Sequence, residues 1–116
     1  MEDIKVGEKI RCNDGLIGEL IRIERDDIDT SLKWYVFDDG KNERYVNKPY
    51  ITKHSFNLID LLEYGDYVNL ERILDITEEY IRTTETIHNK SWLAKNITSI
   101  LTHEQFEANC YKVTIK

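Results

Sequence analysis

Val6-Gly7-Glu8-Lys9-Ile10-Arg11-Cys12, then Asn13-Asp14-Gly15, then Leu16-Ile17-Gly18-Glu19-Leu20-Ile21-Arg22-Ile23 is the stretch on which the fold turns. Apolar and polar residues alternate along both flanks, the period of a half-buried strand. Asp14-Gly15 between them supplies the positive φ of a tight reversal. Strict alternation puts Ile17, Glu19, Ile21 and Ile23 on one side of the second flank and Leu20 and Arg22 on the other. Gly18 inside a strand marks a bulge or tight bend, the means by which a short strand curls into a barrel.

Working outward, Arg25 to Ser31 is polar and acidic, a hairpin tip, and Leu32 to Phe37 is aromatic and β-branched, a strand. Asp38-Asp39-Gly40 is a second turn, and Glu43 to Val46 is a short strand that Pro49 confines to an edge. Lys53-His54-Ser55 reads as a polar loop that His54 fixes through hydrogen bonds. Leu58 to Leu62 is a strand or one helical turn, and Glu78 to Thr86 and Ile97 to Leu101 are strands. Thr102-His103-Glu104-Gln105 is a capping box that opens a short helix to about Ala108. Tyr111 to Ile115 closes the fold as a strand.

The opening pattern returns. Tyr64-Gly65-Asp66-Tyr67-Val68-Asn69 echoes Val6 to Arg11, and Ile73-Leu74-Asp75-Ile76 echoes Leu20-Ile21-Arg22-Ile23. The expectation is a single domain over 1–116 holding two copies of one β module, 1–57 and 58–116.

The composition bounds the function. The 116 residues carry a net charge of −6, with 41% hydrophobic and 33% charged residues, one Pro and five Gly, the profile of an ordinary globular domain. No apolar run is long enough to span a bilayer, so no membrane partner is expected. The first residues are acidic and lack a secretory apolar stretch, which points to the cytoplasm and to reduced Cys12 and Cys110. The charge is uneven. Glu24, Asp26, Asp27, Asp29, Asp38 and Asp39 outweigh Arg25 and Lys33, whereas Lys41, Arg44, Lys48 and Lys53 outweigh Glu43 in the next window.

Two resemblances add to this reading. Val6 to Arg11, the Asp14-Gly15 turn and Ile17 to Ile23 resemble the opening of SH3-like and KOW-like small barrels. More widely, four segments in order resemble a group of small uncharacterised phage and prophage proteins of Firmicutes, clostridial in type. They are Ile51-Thr52-Lys53-His54-Ser55, Asn57-Leu58-Ile59-Asp60-Leu61-Leu62-Glu63, Gly65-Asp66-Tyr67-Val68-Asn69 and Ile100 to Glu107. Leu70 stands where that group often has Gly, and His103 where Lys is usual. The resemblance implies a phage origin, the host bacterial cytoplasm and a mainly β fold with one short helix, two SH3-like partial barrels fused in one small domain.

No catalytic residue and no cofactor is expected. His54, His88, His103, Cys12 and Cys110 show no paired ligand spacing, so no metal site is expected either. No Gly-rich phosphate loop occurs. The first functional expectation is a non-catalytic protein that binds and blocks a host protein, a nucleic-acid-binding nuclease complex being the most concrete partner, in the manner of an anti-CRISPR inhibitor. The acidic hairpin residues Glu24, Asp26, Asp27, Asp29, Asp38 and Asp39 would dominate the encounter, with Trp34 and Tyr35 as aromatic anchors. The alternative is a nucleic-acid-binding module using Lys41, Arg44, Lys48 and Lys53, which the overall charge opposes. A third reading is a virion or assembly component, a homo-oligomer.

Overall fold

In the computed structural model, residues 3–110 are described; the strand expected at Tyr111 to Ile115 lies outside them. The chain is mainly β and divides into two compact units, Met1–Leu62 and Glu63–Lys116. The first unit holds β1 (Lys9–Cys12), β2 (Ile17–Arg25), β3 (Lys33–Asp38), β4 (Glu43–Val46) and β5 (Ile51–Ser55). They form one antiparallel sheet in the order β4-β3-β2-β1-β5. Four strands follow one another and the fifth returns to the first, the pairing of an SH3-like partial barrel. β4, ahead of Pro49, is an edge strand as expected. A 3₁₀ turn over Lys48–Tyr50 links it to β5. His54 is not in a loop: it lies in β5 opposite Ile10, and its polar neighbours pair as a regular strand.

The second unit holds β6 (Tyr67–Val68), β7 (Glu71–Ile76), β8 (Tyr80–Thr83), β9 (Ile87–Asn89) and β10 (Ile100–Leu101), in the order β10-β6-β7-β8-β9. The same meander with a returning fifth strand is therefore built twice. A short helix α1 (Lys90–Ala94) follows β9, and α2 (His103–Asn109) follows β10. The Thr102 hydroxyl accepts the Gln105 N–H at the head of α2, as the capping box requires. Leu58–Leu61 is a 3₁₀ turn at the end of the first unit.

The sequence echo is the same hydrogen-bonded turn in both units. Glu8 N–H donates to the Lys5 carbonyl, Gly7 N–H to Leu20 O and Leu20 N–H to Glu8 O, at 3.0, 2.8 and 2.8 Å. Fifty-eight residues on (by the numbering of Gly7 and Gly65), Asp66 N–H donates to Glu63 O, Gly65 N–H to Ile73 O and Ile73 N–H to Asp66 O, at 3.1, 3.0 and 2.8 Å. Each acid also reaches back to a backbone N–H three residues earlier: Lys5 N to Glu8 Oε2 at 2.6 Å, Glu63 N to Asp66 Oδ2 at 2.7 Å. Gly7 and Gly65 both hold a positive φ, +97° and +89°, which glycine adopts without a Cβ clash. One residue past Leu20 and past Ile73 the pairing slips by a bulge, at Ile21 and at Leu74.

That bulge corrects the face assignment along β2. Leu20 lies opposite Phe37 in the core and Ile23 opposite Tyr35, so both share the core side although their spacing is odd. Gly18 is therefore not the bulge; its missing side chain lets β3 approach.

The hairpin between β6 and β7 is a two-residue turn, Asn69-Leu70, with both φ values positive, 50° and 69°. Asn suits the first position, but the second favours Gly. Leu70 is 87% exposed, so no burial offsets the strain. We expect Leu70→Gly to raise stability by about 1 kcal/mol, the cost of a left-handed leucine less the extra chain entropy of glycine. A thermal melt that moves up by a few degrees checks this; a melt that moves down would mean Leu70 is held by something other than its turn.

Candidate functional site

The candidate surface is built on the β2–β3 hairpin. Along β2, β1 pairs with Ile17 to Glu19 alone, and along β3, β4 pairs with Tyr35 to Asp38 alone. The outer pairs Glu24↔Trp34 and Arg25↔Lys33 thus run on as a two-stranded ribbon beyond their neighbours. Its tip is tied internally. Asp26 N–H donates to Leu32 O and Leu32 N–H to Asp29 O, both at 3.0 Å. Asp26 Oδ1 accepts Ile28 N–H at 2.8 Å and Asp29 N–H at 3.0 Å, while Asp26 Oδ2 accepts the Trp34 indole N–H at 3.0 Å. Asp29 Oδ1 accepts the Ser31 hydroxyl at 2.6 Å. Bonds from Asp29 N–H, the Trp34 indole and Ile28 N–H hold the Asp26 carboxyl below its usual range. At the centre of this fixed tip Ile28 is 97% exposed.

The six acids do not form one cluster. Asp26, Asp27 and Asp29 surround the tip. Asp38 ends β3 and Asp39 follows it, at the far end of a six-residue strand whose five steps span about 17 Å at the rise of an extended strand. Asp39 accepts Asn42 N–H, Arg44 Nε–H and Lys41 N–H, each at 2.8 Å, and those bonds bring its carboxyl down to about 2. Glu24 is joined to Arg22 at 2.6 Å, and Arg22 also reaches Glu43 and the Tyr45 hydroxyl. Among the described residues, Asp27 alone of the six makes no side-chain hydrogen bond or ion pair.

The aromatic pair also separates. Trp34 is half-buried and braces the tip through Asp26. Tyr35 belongs to the core at 6% exposure, so it is a floor residue rather than a projecting anchor. It lines a groove of about 290 Å³ with Leu32, Lys33, Lys48 and Pro49. Of the basic residues, Lys41 lies in the turn before β4, Arg44 is paired to Asp39 and Lys48 sits on the 3₁₀ turn. Lys53 lies on β5, at the other end of the strand order from β4, and its ammonium reaches the Leu62 carbonyl. The four are thus not carried on adjacent strands.

Sequence spacing gave no sign of a second feature. Every histidine faces a glutamate: His54 Nδ1 and Glu8 Oε1 at 2.9 Å, His88 Nε2 and Glu71 Oε1 at 3.0 Å, His103 Nε2 and Glu63 Oε1 at 3.0 Å. The pairs lie 46, 17 and 40 residues apart. Burial pushes the Glu8 carboxyl up, but bonds from His54 and the Lys5 N–H outweigh it and the net shift is downward. Glu71 is lowered by the Thr83 hydroxyl first and His88 second. His88 also stacks on the exposed Trp92, with ring centroids 5.4 Å apart. In the second unit a groove of about 550 Å³ is lined by Tyr64, Tyr67, Arg72, His103 and Phe106. No helix among the described residues is long and apolar enough to cross a membrane.

Fold and surface together define a small, duplicated β scaffold that presents a ribbon with a hydrogen-bonded acidic tip. Comparison with family models, curated proteins and solved structures finds no match to the chain.

Proposed function

We propose that this is a non-catalytic binding protein of phage origin that docks its β2–β3 ribbon on a basic surface of a host macromolecule and blocks it. A nucleic-acid-handling nuclease complex of host defence is the partner whose basic groove suits the ribbon best. The observation that carries this reading is Ile28, 97% exposed yet held in a tip whose backbone is tied by Asp26 and Asp29. A branched aliphatic residue fixed in water loses little entropy on binding and gains from burial, as a hot-spot residue does. The surrounding Asp26, Asp27 and Asp29 supply a field that steers the tip to positive charge. Net charge supports a protein groove over a nucleic-acid partner.

Asp27 and Ile28 can be changed without removing any turn-forming side chain. The double variant Asp27→Lys with Ile28→Ala should keep its melting temperature and lose about tenfold or more in affinity, the loss of a typical hot spot. Capture from a clostridial lysate, followed by titration of the purified partner at low and high salt, measures this. Capture by the double variant equal to that of the unaltered protein would reject the ribbon as the docking element. A gel shift of RNA or single-stranded DNA at micromolar protein would favour the basic module instead.

A further inference from the structure

We infer that Glu63, His103 and Glu104 form a binding site for one divalent transition-metal ion of the zinc class, independent of the ribbon. The absence of ligand spacing in the sequence argued against any metal, but the fold of the second unit assembles what the sequence separates. Glu63 lies in the turn before β6, and His103 and Glu104 are the first two residues of α2. One donor atom from each, an imidazole nitrogen and two carboxylate oxygens, lies within 4.8 Å of the others. His103 Nε2 is 3.0 Å from Glu63 Oε1 and 3.3 Å from Glu104 Oε1. Ligands at about 2.0–2.2 Å from a tetrahedral ion stand about 3.3–3.6 Å apart, so these two edges need to open by only a few tenths of an ångström.

A second, independent feature positions the set. Asp66 is fully buried and its two oxygens take one backbone N–H from each side of the site: Glu63 N at 2.7 Å on Oδ2, His103 N at 2.9 Å on Oδ1. The two arms are therefore fixed relative to each other before any ion arrives, as a supporting shell does for metal ligands. The charge is also right. Glu63 and Glu104 face the imidazole, and Glu107 and Arg72 line the adjoining groove. His103 lines the groove of about 550 Å³, with Tyr64, Tyr67 and Phe106 on its walls. The ligand side chains are partly exposed, at 41%, 29% and 23% for His103, Glu63 and Glu104, so an ion can enter. One nitrogen with two carboxylates selects zinc or a neighbouring first-row ion over magnesium, which takes oxygen ligands and holds its water. Three protein ligands leave a coordination position for water.

The test is calorimetric titration of zinc chloride into the full chain stripped with chelator. We expect one equivalent, bound more than about a hundredfold less tightly by His103→Ala, since loss of a ligand exceeds the 10–100-fold cost of losing an outer partner. Glu104→Gln, which keeps the shape of the side chain and removes its charge, should weaken binding at least tenfold while a melt in chelator still shows a cooperatively folded chain. His88→Ala, which leaves the three ligands intact, should bind as the unaltered protein does. Cobalt loading should give tetrahedral visible absorption that is lost in Glu104→Gln. Absence of one-equivalent binding, or equal binding by His103→Ala and the unaltered chain, would overturn the site and leave His103 as an imidazole bridging two carboxylates.

Discussion

Gly18→Ala should destabilise the protein by about 3 kcal/mol or more, the upper end of what forcing an extra methyl into a packed core costs. A Cβ on Gly18 would stand 2.3 Å from the Asp38 carbonyl oxygen, 2.5 Å from Phe37 Cδ2 and 2.9 Å from the Asp38 carbonyl carbon. Two of the three are backbone atoms of β3, so no side-chain rotation relieves the contact. Phe37 is itself locked in the core against Leu20, and its shift would open a void elsewhere. A domain of this size has about 5–15 kcal/mol in total, so a large share of the folded population's margin goes. Gly40→Ala provides the contrast: its Cβ meets nothing within 4 Å, but φ is +96°, so only backbone strain of about 1–2 kcal/mol is expected. Urea unfolding of both variants separates steric from conformational cost. Equal, small losses would mean that β3 does not lie against β2 as described.

Much of this architecture was legible in the sequence, and the reasons are local. Gly7 and Gly65 each precede an acid that closes its own turn, so the motif is readable from three adjacent residues. Thr102 and Gln105 lie within one helical turn, and Pro49 marks an edge by lacking a donor. What could not be read depends on distant partners. Arg11 stands in a polar slot of the alternation yet is wholly buried, because its Nη1 donates to the Leu61 carbonyl fifty residues away. The strand expected from Ile97 contracts to Ile100–Leu101 because Asn69 Oδ1 takes the Thr98 and Ser99 N–H groups. Helix α1, five residues long, is too short to show a period and is set by Asn89 capping Ser91 and Trp92. The candidate surface suffers likewise. Six acids that share one stretch of sequence, Glu24 to Asp39, are parted by the length of β3, whereas Glu63 and His103, forty residues apart, come together.

Asp66→Ala should cost about 3 kcal/mol, because two backbone N–H groups lose a charged acceptor. Both donors, Glu63 N–H and His103 N–H, are part-buried, and Asp66 itself is 0% exposed. Water therefore cannot simply replace the carboxylate. The loss should also reach α2, since the His103 bond ties its first residue to the turn before β6. Amide exchange at Glu63 and through α2 should accelerate more than exchange in β8. Asp66→Glu isolates the part that belongs to the repeated turn. The first unit runs the same turn with Glu8, whose longer side chain still reaches the Lys5 N–H at 2.6 Å and uses its other oxygen for His54. A glutamate at 66 should thus keep the bond to Glu63 N–H and strain the one to His103 N–H, recovering about half of the loss, or one charged hydrogen bond of the two. Recovery confined to the Glu63 amide would identify the turn as an interchangeable unit of the duplicated scaffold. An Asp66→Ala protein that unfolds at the same urea concentration as the parent would show that neither bond holds the second unit together.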